Sequence, residues 1–145
     1  MKMRMGNLDF ATNSLSNNFQ IKGIFSIKGV LFDTTLIEPS EVIPVLFFHG
    51  TDDTYYPFLT GYAFSCPNYF VLQGSGEIVK RLNNLGTCYE LNFKNKIGHE
   101  LQISNYVLLR EAEFFNRVLH NNCKQIIIED YNCTKCKKIK RNRKN

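Results

Sequence analysis

Six residues, Ile43-Pro44-Val45-Leu46-Phe47-Phe48, constrain the fold of this chain more than any other stretch. A short, unbroken apolar run reads as a strand covered on both faces, as in a parallel sheet flanked by helices. It stops abruptly at His49-Gly50-Thr51-Asp52-Asp53. The polar residues that follow then lie at the carboxyl end of the strand, the edge where open α/β sheets bind ligands.

The surrounding pattern alternates strand and helix. Phe19 to Ile27 is rich in β-branched and aromatic residues and reads as a strand, as does the alternating Cys88-Tyr89-Glu90-Leu91-Asn92-Phe93. Ser75 to Leu85 reads as a helix, with Ile78, Leu82 and Leu85 at helical spacing, Ser75 able to cap its start and Gly86 its end. A second helix is expected over Ser104 to His120, with Leu108, Ala112, Phe115 and Leu119 on one face. Residues 125–129 fit a short strand or an extended loop. This order predicts α/β architecture, about three parallel strands with right-handed crossover helices. Three strands leave more sheet face to cover than this chain supplies, so further elements are expected upstream. The expected layout is a polar N-terminal loop over 1–18, the α/β unit over 19–122 and a flexible, Cys-containing basic tail over 123–145.

Charge needs separating by region. Seven of the 18 Lys and Arg residues fall in 135–145, where there is no acid, so residues 1–134 hold 11 basic against 13 acidic residues. The net charge of +5 is therefore a property of the tail. A basic tail reads as a solvated end, with a polyanion contact as the alternative. No apolar run approaches the roughly 20 residues that span a bilayer. The basic start Met1-Lys2-Met3-Arg4 is not followed by the apolar core of a signal peptide, so no address is read from it.

Asp53 lies five residues past Phe48 and His99 six past Phe93, on loops leaving successive strands. Adjacent parallel strands run roughly 4.8 Å apart, so a carboxylate and an imidazole on such loops are expected to meet. That pair has a use in hydrolysis. A buried carboxylate fixes the imidazole tautomer and stabilises the imidazolium formed when the ring takes a nucleophile's proton.

The segment Pro44-Val45-Leu46-Phe47-Phe48-His49-Gly50-Thr51-Asp52-Asp53-Thr54-Tyr55-Tyr56-Pro57 resembles the acid loop of α/β-hydrolase carboxylesterases: an apolar strand, His-Gly-Thr-x-Asp, and a proline soon after. Downstream, Gly98-His99-Glu100 is similar to the histidine loop of that family, and the order acid before histidine agrees with it. The likeness covers roughly residues 19–120, and secreted bacterial esterases are the nearest in kind. It implies a partial α/β-hydrolase fold, with Asp53 as triad acid (Asp52 is the alternative), His99 as triad histidine, and no cofactor. The family's Gly-x-Ser-x-Gly nucleophile motif does not occur here; Gly74-Ser75-Gly76 is too tight and follows the acid. The oxyanion-hole loop is missing too. The resemblance thus implies a fragment or truncated form of a serine carboxylic-ester hydrolase, inactive alone and acting on a small-molecule ester only when completed. A non-catalytic binding or interaction module, self-associating through an exposed sheet edge, is the alternative, and a basic-tailed nucleic-acid binder a more distant one.

Other residues read more plainly. His49 is expected to pack its ring under the acid loop, and His120 to sit exposed at a helix end. Tyr55, Tyr56 and Phe58 open an aromatic-rich segment that fits either ordinary packing or the wall of a substrate pocket. The five cysteines, Cys66, Cys88, Cys123, Cys133 and Cys136, fit disulfides or free thiols. No metal site is expected, although His120-x-x-Cys123 and Cys133-x-x-Cys136 would supply four zinc ligands.

Overall fold

The apolar run becomes strand β3, and it is buried along its whole length. In chain order the elements are β1 (Ile24–Ile27), β2 (Val30–Leu31), β3 (Val45–Gly50), β4 (Thr60–Tyr62), β5 (Val71–Gly74), α1 (Ser75–Asn84), β6 (Tyr89–Lys94), α2 (Asn105–Leu119) and β7 (Gln125–Glu129). This is a computed structural model, and it describes residues 20–100 and 104–130. The expected N-terminal loop over 1–18 and the basic run over 135–145 lie outside the described residues.

The main sheet has four strands in the order β1-β3-β6-β7, all parallel. The expectation of three strands is corrected to four. Gln125–Glu129, which fitted strand or loop equally, pairs alongside β6, so the sheet continues past residue 122. The first strand begins later than expected, at Ile24.

Side chains of β3 alternate between two cores, as both-face burial requires. Val45 and Phe47 pack with Tyr89 and Leu91 of β6 against Ile78, Val79 and Leu82 of α1. Leu46 and Phe48 pack against Val107 and Phe114 of α2. The two helices therefore cover opposite faces. Since β3, β6 and β7 succeed one another in one direction across the sheet, the crossovers through α1 and α2 have opposite hands. The expectation that both are right-handed is corrected on this point.

What holds α2 there is partly ionic. Glu90 and Asn92, which alternate with the apolar residues of β6, face α2 and are fully buried. The Glu90 carboxylate accepts from Arg110 Nε and a terminal nitrogen of the same guanidinium at 2.7 and 2.6 Å, from Asn92 Nδ2 at 2.9 Å, and from Arg117. The buried apolar residues of α2 are Val107 and Phe114, whereas Leu108 and Leu119, expected on the covered face, are exposed. The ion pairs rotate the helix so that Arg110 and Arg117, two turns apart, share its inner face. Cys88 and Cys123 form a disulfide that ties the start of β6 to the segment after α2.

A second, antiparallel sheet, β2-β5-β4, was not expected from the sequence. Its strands are only two to four residues long and lie among turn-forming residues, so local pattern hides their long-range pairing. The 75–85 helix is confirmed as α1, but Ser75 does not cap it: Gly74 is the N-cap, without a side-chain bond, and Ser75 is the first helical residue. No helix among the described residues is long and apolar enough to cross a membrane.

Candidate functional site

Strand register brings the two loops together. His49 pairs with Phe93 and Gly50 with Lys94, so β3 and β6 end level. Beyond them the loops are stitched by backbone: Thr51 N–H donates to Lys94 C=O at 2.9 Å and Asp52 N–H to Ile97 C=O at 3.0 Å. Lys96 N–H donates to Thr51 Oγ1 at 2.9 Å. Gly50 permits this approach. A Cβ there would lie 2.2 Å from the Ile97 carbonyl oxygen and 2.7 Å from that of Gly98.

Asp53 and His99 meet at this seam. His99 Nδ1 lies 2.9 Å from Asp53 Oδ2 and 3.1 Å from Oδ1. The Asp53 side chain is fully shielded from solvent, while that of His99 keeps 29% of its surface. The amides of Tyr55 and Tyr56 both donate to Asp53 Oδ1 at 2.9 Å, closing a tight turn on the carboxylate. Asp53 is thus held by the turn it begins. Asp52, the alternative acid, is exposed and, among the described residues, its side chain accepts only from its neighbour Thr51 Oγ1 at 3.0 Å.

The carboxylate fixes the chemistry of the ring. An ionised carboxylate only accepts, so His99 Nδ1 carries the proton that it receives. In the neutral imidazole Nε2 is then the bare nitrogen, and it has no hydrogen-bond partner among the described residues. A bare Nε2 backed by a buried carboxylate is the arrangement of a general base.

The three aromatic residues divide. Tyr55 and Tyr56 stand beside the histidine, their ring centroids 4.7 and 5.5 Å from that of His99. Phe58 turns inward instead, its ring 5.6 Å from His49 and 5.4 Å from Phe93. It fills the α1-side core and does not reach His99.

His49 is completely buried beneath the acid loop, as expected. Its Nδ1 lies 2.8 Å from Ser75 Oγ, its Nε2 3.0 Å from the Tyr56 carbonyl oxygen and 3.6 Å from Asp53 Oδ2. Burial pushes its pKa below the ordinary imidazole value, against the weaker opposing pull of the Tyr56 carbonyl and the Asp53 charge. Ser75, His49 and Asp53 thus form a hydroxyl–imidazole–carboxylate series of their own. Its hydroxyl is fully buried, so it is shut off from any substrate carbonyl. The glycine before it answers a packing need: a Cβ on Gly74 would lie 1.8 Å from the Pro57 carbonyl oxygen, where the acid loop crosses. Sequence reading did not connect Ser75 with His49, because nothing local signals a contact over 26 residues.

His120 closes α2, its Nδ1 donating back to Asn116 C=O at 2.8 Å. Cys123 is committed to its disulfide with Cys88, which removes one of the four zinc ligands considered; Cys133 and Cys136 lie outside the described residues. Among the described residues no group of three His, Cys, Asp or Glu side chains is placed to hold a metal ion. Comparison with family models, with curated proteins and with solved structures found no match for this chain.

Proposed function

We propose that this chain carries the acid and the histidine of a serine carboxylic-ester hydrolase of α/β-hydrolase type, the nucleophile belonging to a polypeptide segment outside these 145 residues. The observation that carries this reading is the Asp53–His99 contact at the carboxyl ends of adjacent parallel strands. In the completed enzyme, His99 Nε2 takes the proton of the attacking serine hydroxyl, and the resulting imidazolium is stabilised by Asp53. As the acyl-enzyme forms, the same nitrogen returns that proton to the leaving alcohol. A water then repeats the sequence and frees the acid. Tyr55 and Tyr56, beside the imidazole, border the space in which the ester binds. No cofactor enters these steps.

Two experiments test the reading. The purified chain hydrolyses an unactivated alkyl ester such as ethyl acetate no faster than its His99→Ala variant, because no serine hydroxyl lies against His99 Nε2 among the described residues. An in-frame Gly-x-Ser-x-Gly is also expected in the coding sequence 5′ of the Met1 codon, which sequencing that region tests. A stop codon there with no such motif, or histidine-dependent hydrolysis by the chain alone, contradicts the proposal.

One observation favours a second reading, a non-catalytic interaction module. Both edges of the main sheet, β1 and β7, are unpaired among the described residues, and each exposes an isoleucine, Ile24 and Ile127. Open edges invite pairing with another chain. Size-exclusion chromatography separates the readings: this one requires a concentration-dependent dimer or larger species, and a clean monomer counts against it.

A further inference from the structure

The buried series under the acid loop has no part in proton transfer to substrate, yet it adjoins Asp53, the acid that orients the base. We propose that His49, anchored by the Ser75 hydroxyl, is a positioning residue for Asp53 and through it fixes which nitrogen of His99 carries the proton. This rests on the reading of Asp53 and His99 given above.

The hydrogen-bond inventory defines the state of the series. The Tyr56 carbonyl only accepts, so His49 Nε2, 3.0 Å away, must donate to it. Burial disfavours the charged ring, and in the neutral ring with Nε2 protonated Nδ1 is the bare nitrogen, which accepts from Ser75 Oγ at 2.8 Å. Ser75 also lies 3.2 Å from the Gly29 carbonyl oxygen. A hydroxyl has one proton, so it cannot serve both acceptors at once, and the shorter contact with His49 takes it. The Nε2–H bond to Tyr56 is therefore tied at its far side to the β5–α1 junction.

The consequence falls on the carboxylate. Asp53 is closed in a turn whose last residue is Tyr56, the residue His49 holds. His49 Nε2 also lies 3.6 Å from Asp53 Oδ2, the oxygen that meets His99 at 2.9 Å. A phenyl ring at position 49 would fill nearly the same volume and supply no donor. The turn would then lose its inner anchor, and the distance between Asp53 and His99 Nδ1 would no longer be fixed. Ser75, placed at the junction of strand and helix, is in this account a strut and never a nucleophile.

The test reads imidazole tautomers directly. Long-range 1H–15N spectra of the full chain are recorded at about pH 8, above the ordinary imidazole pKa of about 6.5. In the wild type, His99 is expected as a single Nδ1–H tautomer and His49 as Nε2–H. In His49→Phe, His99 becomes a mixture of both tautomers. Ser75→Ala shifts it the same way, and His49→Gln, which restores an N–H donor towards Tyr56, returns the single form. Dispersed amide spectra show that each variant is folded; should His49→Phe unfold, the Ser75→Ala and His49→Gln pair decides. A His99 still locked as Nδ1–H in folded His49→Phe, or in Ser75→Ala where His49→Phe unfolds, overturns the positioning role and leaves the Asp53–His99 reading standing. A wild-type His99 that is already mixed, or one that stays locked in Asp53→Ala, overturns that reading and this inference with it.

Discussion

The Asp53 carboxylate holds His99 Nδ1 at 2.9 Å across 46 residues of chain, and it does so from a position that solvent does not reach. Nothing in either loop alone accounts for this. The contact depends on β3 and β6 ending level, on backbone hydrogen bonds that join the loops beyond the strands, and on a turn that locks the carboxylate to its own amides.

Gly50 is where that seam is most exposed to change. In Gly50→Ala the new Cβ would fall 2.2 Å from a backbone oxygen, so the histidine loop must retreat. The expected cost is about 1–3 kcal/mol, as for overpacking in a core. Urea unfolding gives the stability, and the imidazole 15N spectrum gives the loss of the single His99 tautomer. A variant of unchanged stability with His99 still locked contradicts the tight crossing.

His49 makes stability depend on pH in a defined direction. Its pKa is lowered in the folded chain, so on acidification the unfolded chain takes up a proton near pH 6.5 that the folded chain refuses. The unfolded state then binds more protons, and stability falls as pH drops below about 6.5, until the depressed folded pKa is reached. Above that window the contribution is constant. Denaturant midpoints compared between wild type and His49→Gln should show a shallower slope across this window in the variant. Parallel slopes would assign the pH dependence to other groups.

Glu90 anchors α2 through two arginines. Glu90→Gln leaves Arg110 and Arg117, whose side chains are only 14% and 19% exposed, without their buried counter-charge. Removing one partner of such a cluster costs about 3–5 kcal/mol. Thermal unfolding should show a large drop in midpoint. A loss below about 1 kcal/mol, the range of surface pairs, would mean that the cluster is solvated.

The disulfide closes a long loop, since Cys88 and Cys123 are 35 residues apart. Chain-entropy reasoning gives about 4 kcal/mol for a loop of this size. The double variant Cys88→Ser, Cys123→Ser should unfold at correspondingly lower urea concentration, with β7 amides exchanging first. Equal stability of the variant and the oxidised chain contradicts a role for the bond in holding the end of α2.

Much of this was legible in the residues. The apolar run before His49 dictated a doubly covered strand, and short loops past Phe48 and Phe93, five residues to Asp53 and six to His99, brought the two side chains together. The Gly86 stop of α1 was legible for the same reason: local chemistry decides it. What escaped was non-local. Val30–Leu31 pairs with Gln73–Gly74 across more than forty residues, and two-residue strands carry no periodicity to read. The face of α2 was misjudged because leucines suggested a core that Glu90, a charge hidden in an alternating strand, had already claimed for arginine. Phe58 was grouped with Tyr55 and Tyr56 by adjacency, yet the turn after Asp53 points it the other way.

The most direct measurement is a kinetic one on the hydrolase proposed above, this chain joined to the segment proposed to carry its nucleophile. Hydrolysis of p-nitrophenyl acetate by that protein is compared with its Asp53→Asn variant, which keeps the shape of the carboxylate and removes its charge. Expected is a fall in kcat of about 10⁴-fold with the fold intact, as when a triad histidine loses its orienting acid. An Asp53→Asn enzyme that keeps kcat within about tenfold of the parent shows that Asp53 does not orient the catalytic base.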